Sequence, residues 1–204
     1  MLDILFSNPL VFVLLILALI ISITVHEFAH AYAAFKLGDP TAKSLGRLTI
    51  NPVSHVDPLG LLFLVLAGFG WGRPVPFDPF YLKNPKRDAA IISFAGPLSN
   101  FILATIFSTI FFMLPQIVGF SIVRALIYYI VLYNVILGVF NLIPVAPLDG
   151  FKIVYGLLPM RWAVSWQQME PYGVLLLLLL IFTDSTSKII SPFVAITTNI
   201  LGLK

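Results

Sequence analysis

His26-Glu27-Phe28-Ala29-His30 sets two imidazoles four residues apart, with a carboxylate beside the first. On a helix, at about 100° per residue, the two rings fall on one face about 40° apart around the axis, so both can reach one metal ion. Glu27 is the next residue round from His26, where its carboxylate would flank the ion and take a proton from water without being a ligand. The chain contains no cysteine, so it has no disulfide framework and must build any metal site from His, Asp or Glu. Two imidazoles suit Zn²⁺ and are also compatible with Co²⁺ or Fe²⁺.

Zinc used in catalysis commonly has three protein ligands and one open position, so a third donor must come from elsewhere. Asp149 is the strongest candidate. It follows Pro144-Val145-Ala146-Pro147, whose prolines break a helix, and a carboxylate on irregular backbone in an apolar context belongs in a polar cavity. His55 and Asp57 are rival ligands, although in their Pro-bounded loop a solvated His or an Asp opening a turn is the plainer reading. Asn100, Asn134 and Asn141 each lie in an apolar stretch, where an amide ordinarily bonds a neighbouring backbone.

The elements that must carry these residues are built for lipid. In the 204 residues, 59% of side chains are hydrophobic and only 10% charged, with a mean hydropathy of +1.01. A soluble domain of this size would need more charge to cover its surface. The net charge of +3 is small and points to membrane loops, not nucleic acid. Apolar stretches near 9–37, 89–114, 121–142, 172–182 and 189–203 read as spans, the last two short enough to be tilted or to form a hairpin. Asp3 is the only charged side chain before the first stretch, where a secretory signal would want Lys or Arg, and cleavage after Ala31 to Ala33 would discard the His pair.

Lys36, Lys43 and Arg47 follow the first span and place its C-terminal end, with the histidines, on the cytoplasmic side. Residues 44–51 and 73–77 read as short extended segments that could pair. The apolar stretch 59–71 between them is too short for a comfortable crossing and reads as re-entrant or shallow. The expected span at 89–114 is broken near its start by Gly96-Pro97 and ended by Pro115, and residues 116–120 connect it to the next. The expected fold is thus an all-α polytopic bundle in a single membrane domain, with a short β-hairpin or re-entrant element between the first and second long spans.

Three segments carry a resemblance. His26-Glu27-Phe28-Ala29-His30, Gly96-Pro97-Leu98-Ser99-Asn100, and Asn141-Leu142-Ile143-Pro144-Val145-Ala146-Pro147-Leu148-Asp149-Gly150 resemble, in order, the signatures of the site-2 protease family of intramembrane zinc metalloproteases. The likeness extends to residues 51–60 and to compact prokaryotic members without added soluble domains. It implies one Zn²⁺ per chain on His26, His30 and Asp149, Glu27 as the catalytic carboxylate, and Asn100 and Asn141 holding substrate or the oxyanion. It also implies a partner of the kind such enzymes cut, the transmembrane helix of another protein, and residence in a prokaryotic inner membrane. Ala146 stands where many members have proline. A different class of function, a metal or proton transporter using the His/Asp cluster, would leave Glu27 without a reason to adjoin His26 at helical spacing. An inert membrane scaffold would have no use for these four residues at all.

Overall fold

In the computed structural model, which describes residues 1–68, 70–114 and 121–203, helices follow one another with short links. A short α1 (Leu2–Ser7) leads into α2 (Pro9–Lys36), opened by the Asn8 side chain, which accepts the Val11 N–H at 3.2 Å, and by Pro9 in the first turn. Proline there loses no helical hydrogen bond, because the first N–H groups have no intrahelical partner. At 28 residues α2 is about 42 Å long, more than a bilayer core. Gly38, at φ +109°, turns the chain beyond its end, and α3 (Thr41–Ser44) follows.

Next comes α4 (Pro58–Ala67), of 10 residues and about 15 Å, half the thickness of a hydrocarbon core. Asp57 caps it by accepting the N–H groups of Leu59 and Gly60 at 2.8 and 3.1 Å, and Gly68 ends it in the left-handed region. Then α5 (Pro85–Met113) and α6 (Ser121–Asn141) form the long pair at the centre. Beyond a non-helical turn come α7 (Asp149–Leu157) and α8 (Met160–Gln167). A single turn of tighter helix at Glu170–Tyr172 joins α8 to α9 (Gly173–Phe182), and α10 (Ser185–Ile200) completes the set. Among the described residues, four helical stretches are long and apolar enough to cross a membrane: Pro9–Lys36, Pro85–Met113, Ser121–Asn141 and Met160–Phe182.

The centre of the bundle is α5, which packs against α2, α6 and α7, while α2 also meets α6. Small residues permit the close approach: Ala18, Ala31 and Ala34 of α2 and Ala104 of α5 are fully buried. Large apolar side chains such as Leu17, Ile102, Ile106, Phe112 and Leu179 are exposed, as expected of a surface solvated by lipid tails.

Two expectations need correction. Among the described residues there is no β-hairpin, only one isolated antiparallel bridge, Val56 to Gly72. Segments 44–51 and 73–77 are not paired as strands. Pro74 and Pro76 carry no N–H, and Lys43 to Arg47 curl into a turn closed at Gly46, φ +68°. Nor does Gly96-Pro97 break α5, which runs through it without interruption. Proline removes one hydrogen bond, and α5 is held on three sides by α2, α6 and α7. The expected stop at Pro115 and the connection over residues 116–120 lie outside the described residues.

Candidate metal centre

One face of α2 presents His26 and His30 toward α5 and α7. Their Nε2 atoms stand 3.0 Å apart, and Asp149 Oδ2, from the first turn of α7, lies 3.1 Å from His26 Nε2 and 3.2 Å from His30 Nε2. Both imidazoles are buried and the carboxylate is nearly so. Glycine makes this convergence possible on two sides. A Cβ at Gly96 would lie 2.5 Å from His30 Nε2 and 2.6 Å from His26 Cε1, so any other residue on α5 would displace the rings. A Cβ at Gly150 would lie 2.4 Å from the carbonyl oxygens of Leu142 and Ile143, so glycine lets α7 begin tight against the end of α6 and aim Asp149 inward.

The outer ring nitrogens define the state of the inner ones. His26 Nδ1 is 2.6 Å from Asn100 Oδ1 and His30 Nδ1 is 2.7 Å from the carbonyl oxygen of Ile92. Both partners accept, so both imidazoles carry their proton on Nδ1 and direct a lone pair from Nε2 inward. Asp149 Oδ2 is buried and has no hydrogen-bond donor among the described residues. Three electron-pair donors converging at 3.0–3.2 Å repel unless a cation sits among them. Zinc bonds of about 2.0–2.2 Å in tetrahedral arrangement hold their donors about 3.3 Å apart, close to the edges of this triangle. The donor set and its geometry therefore fit Zn²⁺.

Glu27 lies outside the triangle and is half-buried. Its Oε2 accepts the N–H of Val75 at 3.0 Å, so the segment 73–77 passes over the carboxylate side of the site. That segment is held by side chains. Arg47 donates to the carbonyls of Arg73 and Pro74 at 2.6 and 3.2 Å, and Asp39 accepts the Asp78 N–H at 2.8 Å. Burial lowers the pKa of the Arg47 guanidinium from its ordinary value, while the Glu27 carboxylate acts in the opposite sense.

The other candidates stand elsewhere. Asp57 is the cap of α4. His55 is fully buried, with Nε2 2.7 Å from the Thr49 carbonyl oxygen, and is not part of the donor triangle. Its backbone carbonyl accepts the Arg73 N–H at 2.7 Å, which tethers the 73–77 segment. Asn141 bonds back to the Leu137 carbonyl of its own helix at 3.0 Å. Asn100 faces His26 from behind, on the side away from the triangle. Sequence reasoning missed Arg47, Asp39 and the steric role of Gly96. The first two are polar residues with no motif, and their buried placement was the only signal.

Among the described residues, four helical stretches of membrane length and a buried His/His/Asp triangle define a polytopic membrane protein with a candidate metal centre. Comparison with known proteins gives this class its family. The model of peptidase family M50 matches residues 14–121 and 116–182, and the chain belongs to that family. YwhC of Bacillus subtilis is 41% identical over 87% of this chain and 84% of its own length. Rip2 of Mycolicibacterium smegmatis is 30% identical over 87% of this chain and 70% of its own length. Both carry the name "putative zinc metalloprotease". The zinc metalloprotease MJ0392 of Methanocaldococcus jannaschii is 30% identical over 76% of this chain but only 38% of its own, longer sequence. No solved structure matches the chain. Family and helices together make this an integral membrane protein.

Proposed function

We propose that this chain is an intramembrane zinc metalloprotease, an endopeptidase of the site-2 protease kind, that cuts transmembrane segments of other membrane proteins in regulated proteolysis. The convergence of His26, His30 and Asp149 supports the reading most directly. In it these three residues hold one zinc ion. Bound zinc supplies Lewis acidity, which makes water acidic near neutral pH and polarises a scissile carbonyl.

Glu27 is the general base: it takes a proton from the attacking water and delivers it to the leaving amine. Its carboxylate is adjacent to the triangle yet outside it, the position that role demands. Val75 N–H now occupies one oxygen of Glu27, and the other is the one turned toward Gly72. His26 and His30 exclude their Nδ1 protons from the chemistry by committing them to Asn100 and Ile92. A peptide bond in an intact helix is shielded by its own hydrogen bonds, so the substrate segment must unwind at the site. Lys36, Lys43 and Arg47, following α2, support a site in the cytoplasmic half of the bilayer of a prokaryotic inner membrane. Purified protein with zinc should cleave a helical membrane substrate, and Glu27→Gln should slow cleavage about 10²–10⁴-fold while keeping the metal. Equal rates in the two proteins would remove Glu27 from the role of base.

A further inference from the structure

Behind His26, away from the donor triangle, three polar side chains from three helices are buried in apolar surroundings: Ser22 of α2, Asn100 of α5 and Asn134 of α6, each with a relative exposure of 0%. Asn100 Nδ2 donates to Asn134 Oδ1 at 2.8 Å and to the Ser22 carbonyl at 3.3 Å. Asn134 Nδ2 donates to Ser22 Oγ and to the Ile130 carbonyl, both at 2.8 Å. The Ser22 hydroxyl donates to the Ala18 carbonyl at 2.7 Å.

Backbone carbonyls can only accept, so they give this chain a direction. The Ala18 carbonyl takes the Ser22 proton and leaves the hydroxyl oxygen as an acceptor for Asn134. The Ile130 carbonyl requires the amino group of Asn134 on its side, which turns Asn134 Oδ1 to Asn100. The Ser22 carbonyl and Asn134 Oδ1 together require the amino group of Asn100, which turns Asn100 Oδ1 to His26. Every donor and acceptor of the chain that these contacts engage is matched. A reversed Asn100 would point an amino group at His26 Nδ1, drive the imidazole proton onto Nε2 and remove the lone pair that faces Asp149.

We infer that Asn134 and Ser22 are positioning residues which act through Asn100 to hold His26 in its Nδ1-protonated tautomer, with Nε2 free to bind the metal. Resting on the metal-binding reading above, the inference assigns Asn100 to the support of His26, since both its amino hydrogens and its oxygen face protein groups. Outer hydrogen-bond partners of a ligating histidine typically govern metal affinity by about 10–100-fold.

The test uses the intact chain in detergent and measures zinc affinity by competition with a chelator. Nitrogen-15 NMR of the histidine side chains adds a second readout, made legible because the sequence has only 3 histidines. Asn100→Leu should weaken zinc binding by about 10–100-fold. Asn100→Asp, which still offers His26 an acceptor but loses the donor that Asn134 Oδ1 and the Ser22 carbonyl require, should lose less zinc affinity than Asn100→Leu. Asn134→Leu should weaken binding by about tenfold and give His26 a mixture of tautomers in metal-free protein. Where leucine upsets folding, Ser22→Ala changes little volume and should shift both readouts the same way by less. Wild-type affinity and an unmixed tautomer in Asn134→Leu, or equal losses in Asn100→Asp and Asn100→Leu, would overturn the inference. Absence of zinc binding by wild type would instead overturn the metal reading, and the tautomer measurement would still report on the hydrogen-bond chain.

Discussion

The two sides of the candidate site are built by different means. On the metal side, His26, His30 and Asp149 are fixed by helices packed through glycine and alanine, with each imidazole braced by a carbonyl on α5. On the Glu27 side, an irregular segment is pinned by a few side-chain hydrogen bonds from Arg47, Asp39 and Glu27 itself. A metal ligand must not move by even half an ångström, whereas the side that receives a substrate must open. Rigidity comes from packing that has no alternative arrangement, and the capacity to open comes from contacts that can be exchanged one at a time.

Breaking the rigid side should have the largest effect. Gly96→Val places branched carbon where the two imidazoles meet α5, so zinc should be lost altogether, as metal analysis of the purified variant would show. Zinc retained at wild-type level would mean that α5 can shift away and that the packing is softer than described. On the other side, Arg47→Ala removes two charge-assisted hydrogen bonds. It should speed amide hydrogen exchange across residues 73–77 roughly tenfold, leaving α2 and α5 protected and zinc content unchanged. Uniform exchange throughout the chain would instead make Arg47 part of the core. The smallest effect is expected at Asp57→Ala, which removes only the cap of α4. Local stability should fall by about 1 kcal/mol, read as faster exchange in the first turn of α4, with zinc and cleavage intact.

The same division separates what could be read from the sequence from what could not. His26, Glu27 and His30 are legible because one helical turn brings them together, and Asp149 because a buried carboxylate after a proline-rich break demands an explanation. Long apolar runs announce α2, α5 and α6 by length alone. Where contacts are non-local, the pattern is mute. Residues 44–51 and 73–77 read as extended segments, but proline and a glycine turn leave them to be held by Arg47 and Glu27, partners no local period reveals. Asn100 and Asn134 read as amides in apolar helices, and only the packing of α2, α5 and α6 turns them toward each other and toward His26. Arg124, near the start of α6, donates to the carbonyls of Phe111 and Leu114 at the end of α5, a pairing of two helix ends that no local pattern reveals.

The central claim is that His26, His30 and Asp149 form one metal site, and metal analysis of the purified protein beside two single variants tests it most directly. Wild type and His55→Ala should each carry about one zinc per chain, and Asp149→Ala should carry almost none. Stoichiometric zinc in Asp149→Ala, or its loss in His55→Ala with the fold intact, would contradict the account.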